Sequence, residues 1–173
     1  RDLPGERSLS NSAATLRHAQ QANVKADWIR PGIALYGSSP DFPTHSATDW
    51  DLQAAMSLHA NIIGVQHLQA GDGVGYGSSF VADQPMRIGV VNLGYADGYL
   101  RAWSGKGMLR SKERAVPVIG RVSMDMTVVD LTAAPDLREG DWLTVDYNLP
   151  AASEVSGLSQ YELLTLLGRR FTR

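Results

Sequence analysis

The sequence predicts a mainly β fold, with a C-terminal β-barrel or related β-domain preceded by a short α/β opening. Runs rich in Val, Ile, Leu and Met occur at 52–68, 86–93, 108–110, 115–119, 122–131 and 141–147, divided by Gly, Pro, Asp and Ser clusters. That is the spacing of short strands in a closed or sandwiched β architecture. Before them, the Ala-rich run 8–22, with its polar start, reads as a helix beginning near Asn11 or Ser12, and Trp28–Tyr36 as a strand running into a turn at Pro31-Gly32. The segment 37–49 lies between the two parts, turn-rich and without apolar periodicity, and marks a linker or boundary.

Length and composition narrow the function classes. At 173 residues and 43% hydrophobic content the chain has material for a real core. Lys and Arg number 16 against 18 Asp and Glu, so no basic footprint for nucleic acid or an anionic membrane is present. A small-molecule partner is favoured. The chain has no cysteine, which excludes disulfides, thiolate zinc sites and a cysteine nucleophile and suits a reducing compartment such as the cytoplasm. No apolar run approaches the ~18 residues of a membrane helix. The opening Arg-Asp-Leu-Pro-Gly-Glu-Arg lacks an apolar leader and an initiator Met, so a fragment or processed product is expected.

In the opening part, Asn11 or Ser12 is expected to cap the first helix. The C-terminal run from Ser159 reads as one helix, with Ser159 and Glu162 in capping-box spacing and Gly168 near its end. The expected domains are 1–38, a linker at 39–49, and 50–173.

Candidate site residues lie where polar groups meet glycines at strand ends. Ser12 stands at a helix start, where free N–H groups favour an anion, and Gly32 follows the next strand with bare backbone. Capping alone also accounts for Ser12. Arg30 ends its strand and would point into the mouth of an α/β unit, or would form a surface ion pair. Tyr76, between Gly75 and Gly77, presents a phenol able to act as an acid or base, or one that covers an apolar edge. Tyr95, Asp97 and Arg101 follow the strand at 88–93 and suit a polar rim or a solvated turn. Alternation through 121–126 would put Arg121, Ser123 and Asp125 on one face and Val122, Met124 and Met126 on the other. His18, His45, His59 and His67 have no metal-ligand spacing, and no metal is expected.

Five ordered motifs carry a family resemblance. They are Asn11-Ser12, the run Ile29 to Gly37, the Gly-Tyr-Gly around Tyr76, Gly94-Tyr95-Ala96-Asp97-Gly98-Tyr99 with Arg101, and Arg121 through Asp125. Together they resemble the C-terminal part of the bacterial alanine racemases, which are fold-type III pyridoxal-phosphate enzymes.

The resemblance implies that 1–38 are the last βα units of a TIM barrel and that about 50–173 form the β-domain of a homodimer with shared active sites. It implies that Ser12 and the backbone at Gly32 and Ile33 hold the phosphate of pyridoxal 5'-phosphate, with Arg30 at the pyridine nitrogen. Tyr76 matches the base on the L-alanine side, delivered to the other subunit. Tyr95 and the Met124 N–H resemble the groups that meet the substrate carboxylate. Arg101, Arg121 and Asp125 resemble the polar lining of the access corridor.

Two departures stand out. The cofactor-bearing lysine belongs to the first barrel strand of the family, and Lys25, Lys106 and Lys112 match no such motif. Arg169 stands where some members carry a phosphate-contacting tyrosine. The chain alone is therefore expected not to catalyse. A broad-specificity amino-acid racemase, or a non-catalytic β-barrel that mediates assembly, are the alternatives.

Overall fold

In the computed structural model, which describes residues 4–18 and 20–171, the chain divides between Met56 and Ser57 into two units. The first is built on β1 (Ser8–Asn11), α1 (Ser12–His18) and β2 (Trp28–Arg30), with the two strands parallel and Asn11 opposite Arg30. The helix begins at Ser12, where the sequence predicts its start, and Ser8–Asn11 before it pair with β2. Ser and Asn, whose side chains compete for backbone groups, are weak helix formers, so strand pairing prevails there. Asn11 is the cap: its Oδ1 accepts the Ala14 N–H at 3.0 Å. Arg17 and His18 occupy the last turn, where cations complement the helix dipole.

The 39–49 segment, expected as a linker, is tied to α1 within this unit. Arg17 Nε donates to Asp41 Oδ2 at 2.6 Å, and the Asp41 N–H donates to Ser39 Oγ at 3.2 Å. Ser38 and Ser39 are buried.

The second unit is a closed antiparallel barrel. Its strands are β3 (Leu58–Leu68), β6 (Met86–Val91), β7 (Met108–Ser111), β8 (Arg114–Ile119), β9 (Thr127–Asp130) and β10 (Trp142–Val145), in the order β10-β3-β6-β9-β8-β7. Closure leaves no strand edge to be protected. Two neighbours share the 11 residues of β3: positions 58–61 pair with β10 and 62–68 with β6. A register shift between Ile62 and Gly64 marks the changeover, and such an irregularity bends the strand as closure requires.

Period-2 alternation fills the interior. Ile62, Val91, Leu109, Val116, Val129 and Leu143, one from each strand, are all 0% exposed. Burying each stabilises the fold by about 1.5–3 kcal/mol. Gly89 is required by this packing, since a Cβ there would lie 2.9 Å from Leu131 Cδ1.

A small hairpin, β4 (Gly73–Val74) with β5 (Phe80–Val81), attaches to the barrel through Val74, which clusters with Ile88 and Ile119. After β10 come α2 (Leu149–Ser156) and α3 (Gln160–Thr165). The helix α2 was not expected, although Asn148 Oδ1 accepts the Ala151 N–H at 3.0 Å and Gly157 closes it at φ +73°. The expected capping box of α3 is present, with Glu162 N–H donating to Ser159 Oγ at 3.2 Å and Ser159 N–H to Glu162 Oε2 at 2.8 Å. The Ser159 hydroxyl, which also donates to Glu162 Oε2 at 2.7 Å, and then the Ser159 N–H hold the Glu162 carboxyl below its usual range. Among the described residues no helix is long and apolar enough to cross a membrane.

The strand expected over 122–131 begins only at Thr127. Gly120 takes φ +66°, which breaks extended pairing. A turn follows, in which Ser123 N–H donates to Met126 O at 2.9 Å and Met126 N–H to Ser123 Oγ at 3.1 Å. The alternating faces expected at 121–126 are consequently absent: Val122 is buried while Met124 and Met126 are about half exposed.

Candidate active site

In the barrel unit, backbone contacts bring three loops together. The first leaves β4 through Gly75, at φ +74°, where a Cβ would stand 3.0 Å from the Arg121 nitrogen. Reciprocally, Gly120 lies against β4, with its notional Cβ 3.1 Å from Val74 O. The loop carrying Tyr76 is thereby seated on the loop carrying Arg121. Tyr76 remains 72% exposed, as a residue presented outward would be.

The second junction joins 94–99 to 123–125. Tyr95 N–H donates to Ser123 O at 3.0 Å and Ala96 N–H to Met124 O at 2.9 Å. Only glycine fits at 94, since a Cβ would fall 2.3 Å from Met124 O. Because a peptide is planar and trans, fixing Ser123 O also fixes the Met124 N–H, which points the opposite way. Tyr95 and the Met124 amide are therefore held in one rigid arrangement. Asp97, buried, reinforces it by accepting the Gly94 N–H at 2.9 Å.

Arg101 enters through Ser104, whose hydroxyl donates to Arg101 O at 2.7 Å and accepts the Val122 N–H at 3.0 Å. Asp125 forms an ion pair with Arg170. Arg101, Arg121 and Asp125 thus sit on the same loop cluster as Tyr76, Tyr95 and Met124. Trp103, in the same segment as Arg101, meets Tyr99 at a tilt with ring centroids 4.7 Å apart and Tyr147 edge-to-face at 5.3 Å. Burial pushes the Tyr147 phenol up to about 12 and raises that of Tyr99 further, so both are neutral structural groups at ordinary pH.

In the first unit, Ser12 is 2% exposed and its Oγ accepts the Ala34 N–H at 3.2 Å. This bond ties the start of α1 to the 3₁₀ turn Ile33–Tyr36 after β2, so the two helix starts converge. Since Ser12 accepts here, its own hydroxyl proton is left to donate. A Cβ at Gly32, whose φ is −67°, would meet nothing within 4 Å. The amides of a helical first turn, such as those that open the turn Ile33–Tyr36, are the donor type that binds anions. Arg30 donates through one guanidinium nitrogen to Ser8 O at 2.7 Å and to Ser8 Oγ at 2.6 Å on the adjacent strand.

Ser104 and Arg170 were not singled out in the sequence, and Gly94 was quoted there only as part of a motif, without a supporting role. Gly94 carried a signal, its place in the Gly-Tyr-Ala-Asp-Gly motif. Ser104 and Arg170 carried none, because each acts across a long sequence separation. Among the described residues no group of His, Asp and Glu is placed to hold a metal ion.

Two family models match the chain, "Alanine racemase, C-terminal domain" over 55–173 and "Alanine racemase, N-terminal domain" over 2–40. The alanine racemase of Polaromonas sp. strain JS666 is 60% identical over 145 residues, covering 83% of this chain and 40% of the relative. The biosynthetic alanine racemase of Pseudomonas aeruginosa has a structure similar to this one at TM-score 0.75 and 39% identity, over 99% of this chain and 48% of that one. The alanine racemase of Bartonella henselae, with covalently bound pyridoxal phosphate, matches at TM-score 0.77 and 32% identity, over 99% and 47%. The chain spans just under half the length of these relatives. With both family models matched in order, and the β-domain model covering most of the sequence, the chain belongs to the alanine racemase family.

Proposed function

We propose that this chain is the C-terminal half of a pyridoxal-phosphate-dependent alanine racemase, interconverting L- and D-alanine by two-base proton transfer in a homodimer. The observation that carries the reading is the loop cluster, which gathers Tyr76, Tyr95, the Met124 amide, Arg101, Arg121 and Asp125 at one place although they span fifty residues of sequence. Leu9, Trp28 and Ile29 are more than half exposed on a two-stranded parallel sheet. Parallel sheets are normally covered on both faces, which supports reading β1 and β2 as the last strands of a TIM barrel, with the β-domain following.

The first unit fits the cofactor's phosphate: a donor hydroxyl on Ser12, amides from the turn at Ile33, and open space at Gly32. Arg30 would stand at the pyridine nitrogen, offering only donors and a permanent positive charge. When bound, the cofactor supplies the electron sink that makes the alanine Cα proton removable. The Tyr95 hydroxyl and the Met124 N–H hold the substrate carboxylate. Arg101, Arg121 and Asp125 line the approach. Tyr76, exposed on its own subunit, serves the site of the second copy by removing or returning the proton on the L-alanine side.

The test is Tyr76→Phe in the full-length enzyme, following exchange of the Cα hydrogen of each enantiomer in deuterium oxide. Exchange from L-alanine should fall by a factor of about 10²–10⁴, the usual contribution of a positioned acid or base. Full exchange from L-alanine would remove Tyr76 from the mechanism.

A further inference from the structure

The role of Asp97 in the loop cluster extends beyond its own turn. Its side chain is 7% exposed, with Oδ2 accepting the Gly94 N–H at 2.9 Å and Oδ1 lying 3.7 Å from Arg170 Nε. Arg170 simultaneously donates through a terminal nitrogen to Asp125 Oδ1. One guanidinium therefore joins a carboxylate two residues beyond Tyr95 to a carboxylate directly beyond Met124.

The chain following α3 is held in place for this. Gly168 N–H donates to Asp97 O at 3.0 Å. The two glycines that face each other's backbone leave no room for side chains: a Cβ at Gly168 would lie 2.8 Å from Ala96 O, and one at Gly98 would lie 2.8 Å from Leu166 O. Arg170 is thus delivered by a tight backbone crossing.

We propose that Arg170 is a positioning residue for substrate binding, clamping Asp97 to Asp125 so that Tyr95 and the Met124 amide keep the spacing that receives the alanine carboxylate. Arginine suits the task because its planar fork serves two carboxylates at once. The Arg170–Asp125 pair is exposed on both sides, at 56% and 49%, and exposed ion pairs add little to fold stability. The effect therefore belongs to binding geometry. This inference rests on the racemase reading above.

The experiment compares Arg170→Ala and Arg170→Lys with the wild-type full-length holoenzyme, measuring kcat and KM for both alanine enantiomers together with Tm and cofactor absorbance. Arg170→Ala should raise KM by about tenfold with kcat within about twofold, the signature of lost substrate binding. Its Tm and cofactor spectrum should stay near wild type, and Arg170→Lys, which keeps the charge but lacks the fork that reaches both carboxylates, should recover only part of the KM. An unchanged KM, or a loss that tracks Tm and is not rescued by lysine, overturns the proposal while leaving the racemase reading intact. Should Arg170→Ala not fold, Arg170→Gln carries the same test. A wild-type holoenzyme that does not racemise alanine overturns the reading itself, and the clamp with it.

Discussion

Gly94 and Met124 approach so closely that a Cβ on Gly94 would sit 2.3 Å from the Met124 carbonyl oxygen and 2.5 Å from the Asp125 nitrogen. The φ of Gly94 is −144°, which any residue can adopt. Glycine is therefore needed for space alone, to let two loops share backbone hydrogen bonds beside the proposed carboxylate site.

Gly94→Ala should destabilise the barrel unit by about 1–3 kcal/mol, because the added methyl meets fixed backbone rather than a movable side chain. Thermal unfolding of the full-length protein measures this. A Tm equal to wild type would show that the loops separate freely. The same variant should raise KM for alanine, since Tyr95 and Met124 move apart.

Gly32→Ala makes the opposite case. Nothing within 4 Å would meet its Cβ and the backbone is in the right-handed region, so apoenzyme stability should be unchanged or raised by about 0.4–1 kcal/mol. If the open space is the approach path of the cofactor phosphate, the methyl should weaken pyridoxal-phosphate binding about tenfold, or about 1.4 kcal/mol. Titration of the apoenzyme by absorbance reads the affinity. Unaltered affinity would move the phosphate away from Gly32.

Alkaline stability should reflect the buried phenols. Burial pushes Tyr147 up to about 12 and raises Tyr99 further, both above the ordinary value near 10. A raised folded-state pKa means that the folded state retains the proton. The contribution is fully present below pH ~10 and is lost as pH rises towards ~12. Denaturant unfolding across that window should show falling stability. Tyr147→Phe should flatten the slope, while costing about 1 kcal/mol at neutral pH through the lost hydrogen bond from its hydroxyl to Leu163 O. An equal slope in the variant would assign the loss to other groups.

The bodies of the barrel strands were legible in sequence because alternation is local. Thr127 and Val129, or Leu143 and Val145, are buried on one face whatever their neighbours. The ends were less legible. Residues 120–126 have the composition of a strand, yet Gly120 and the Ser123 hydroxyl turn the chain before pairing can start. Ser8–Asn11 were not legible as a strand because that strand exists only through its partner at Trp28–Arg30. The α2 helix is only eight residues long, and its caps at Asn148 and Gly157 resemble ordinary turn residues.

Among site residues, Tyr76, Tyr95, Arg121 and Asp125 could be nominated from their glycine-flanked or polar motifs. Their nearness to one another could not, since it depends on backbone crossings at Gly75, Gly94 and Gly120. Ser104 and Arg170 have no local signature at all.

By itself, then, the sequence determined which chemical groups are available, the strand periodicity that builds a β-domain, and the ordered motifs of the alanine racemase family. Those properties follow from side-chain type and short spacing. Tertiary structure alone decided the circular order of the strands, the seating of three distant loops on one another, and the meeting of Arg170 with Asp97 and Asp125. Each of these joins residues far apart in the chain, and contacts of that kind are set by the packing of the whole unit rather than by local preference.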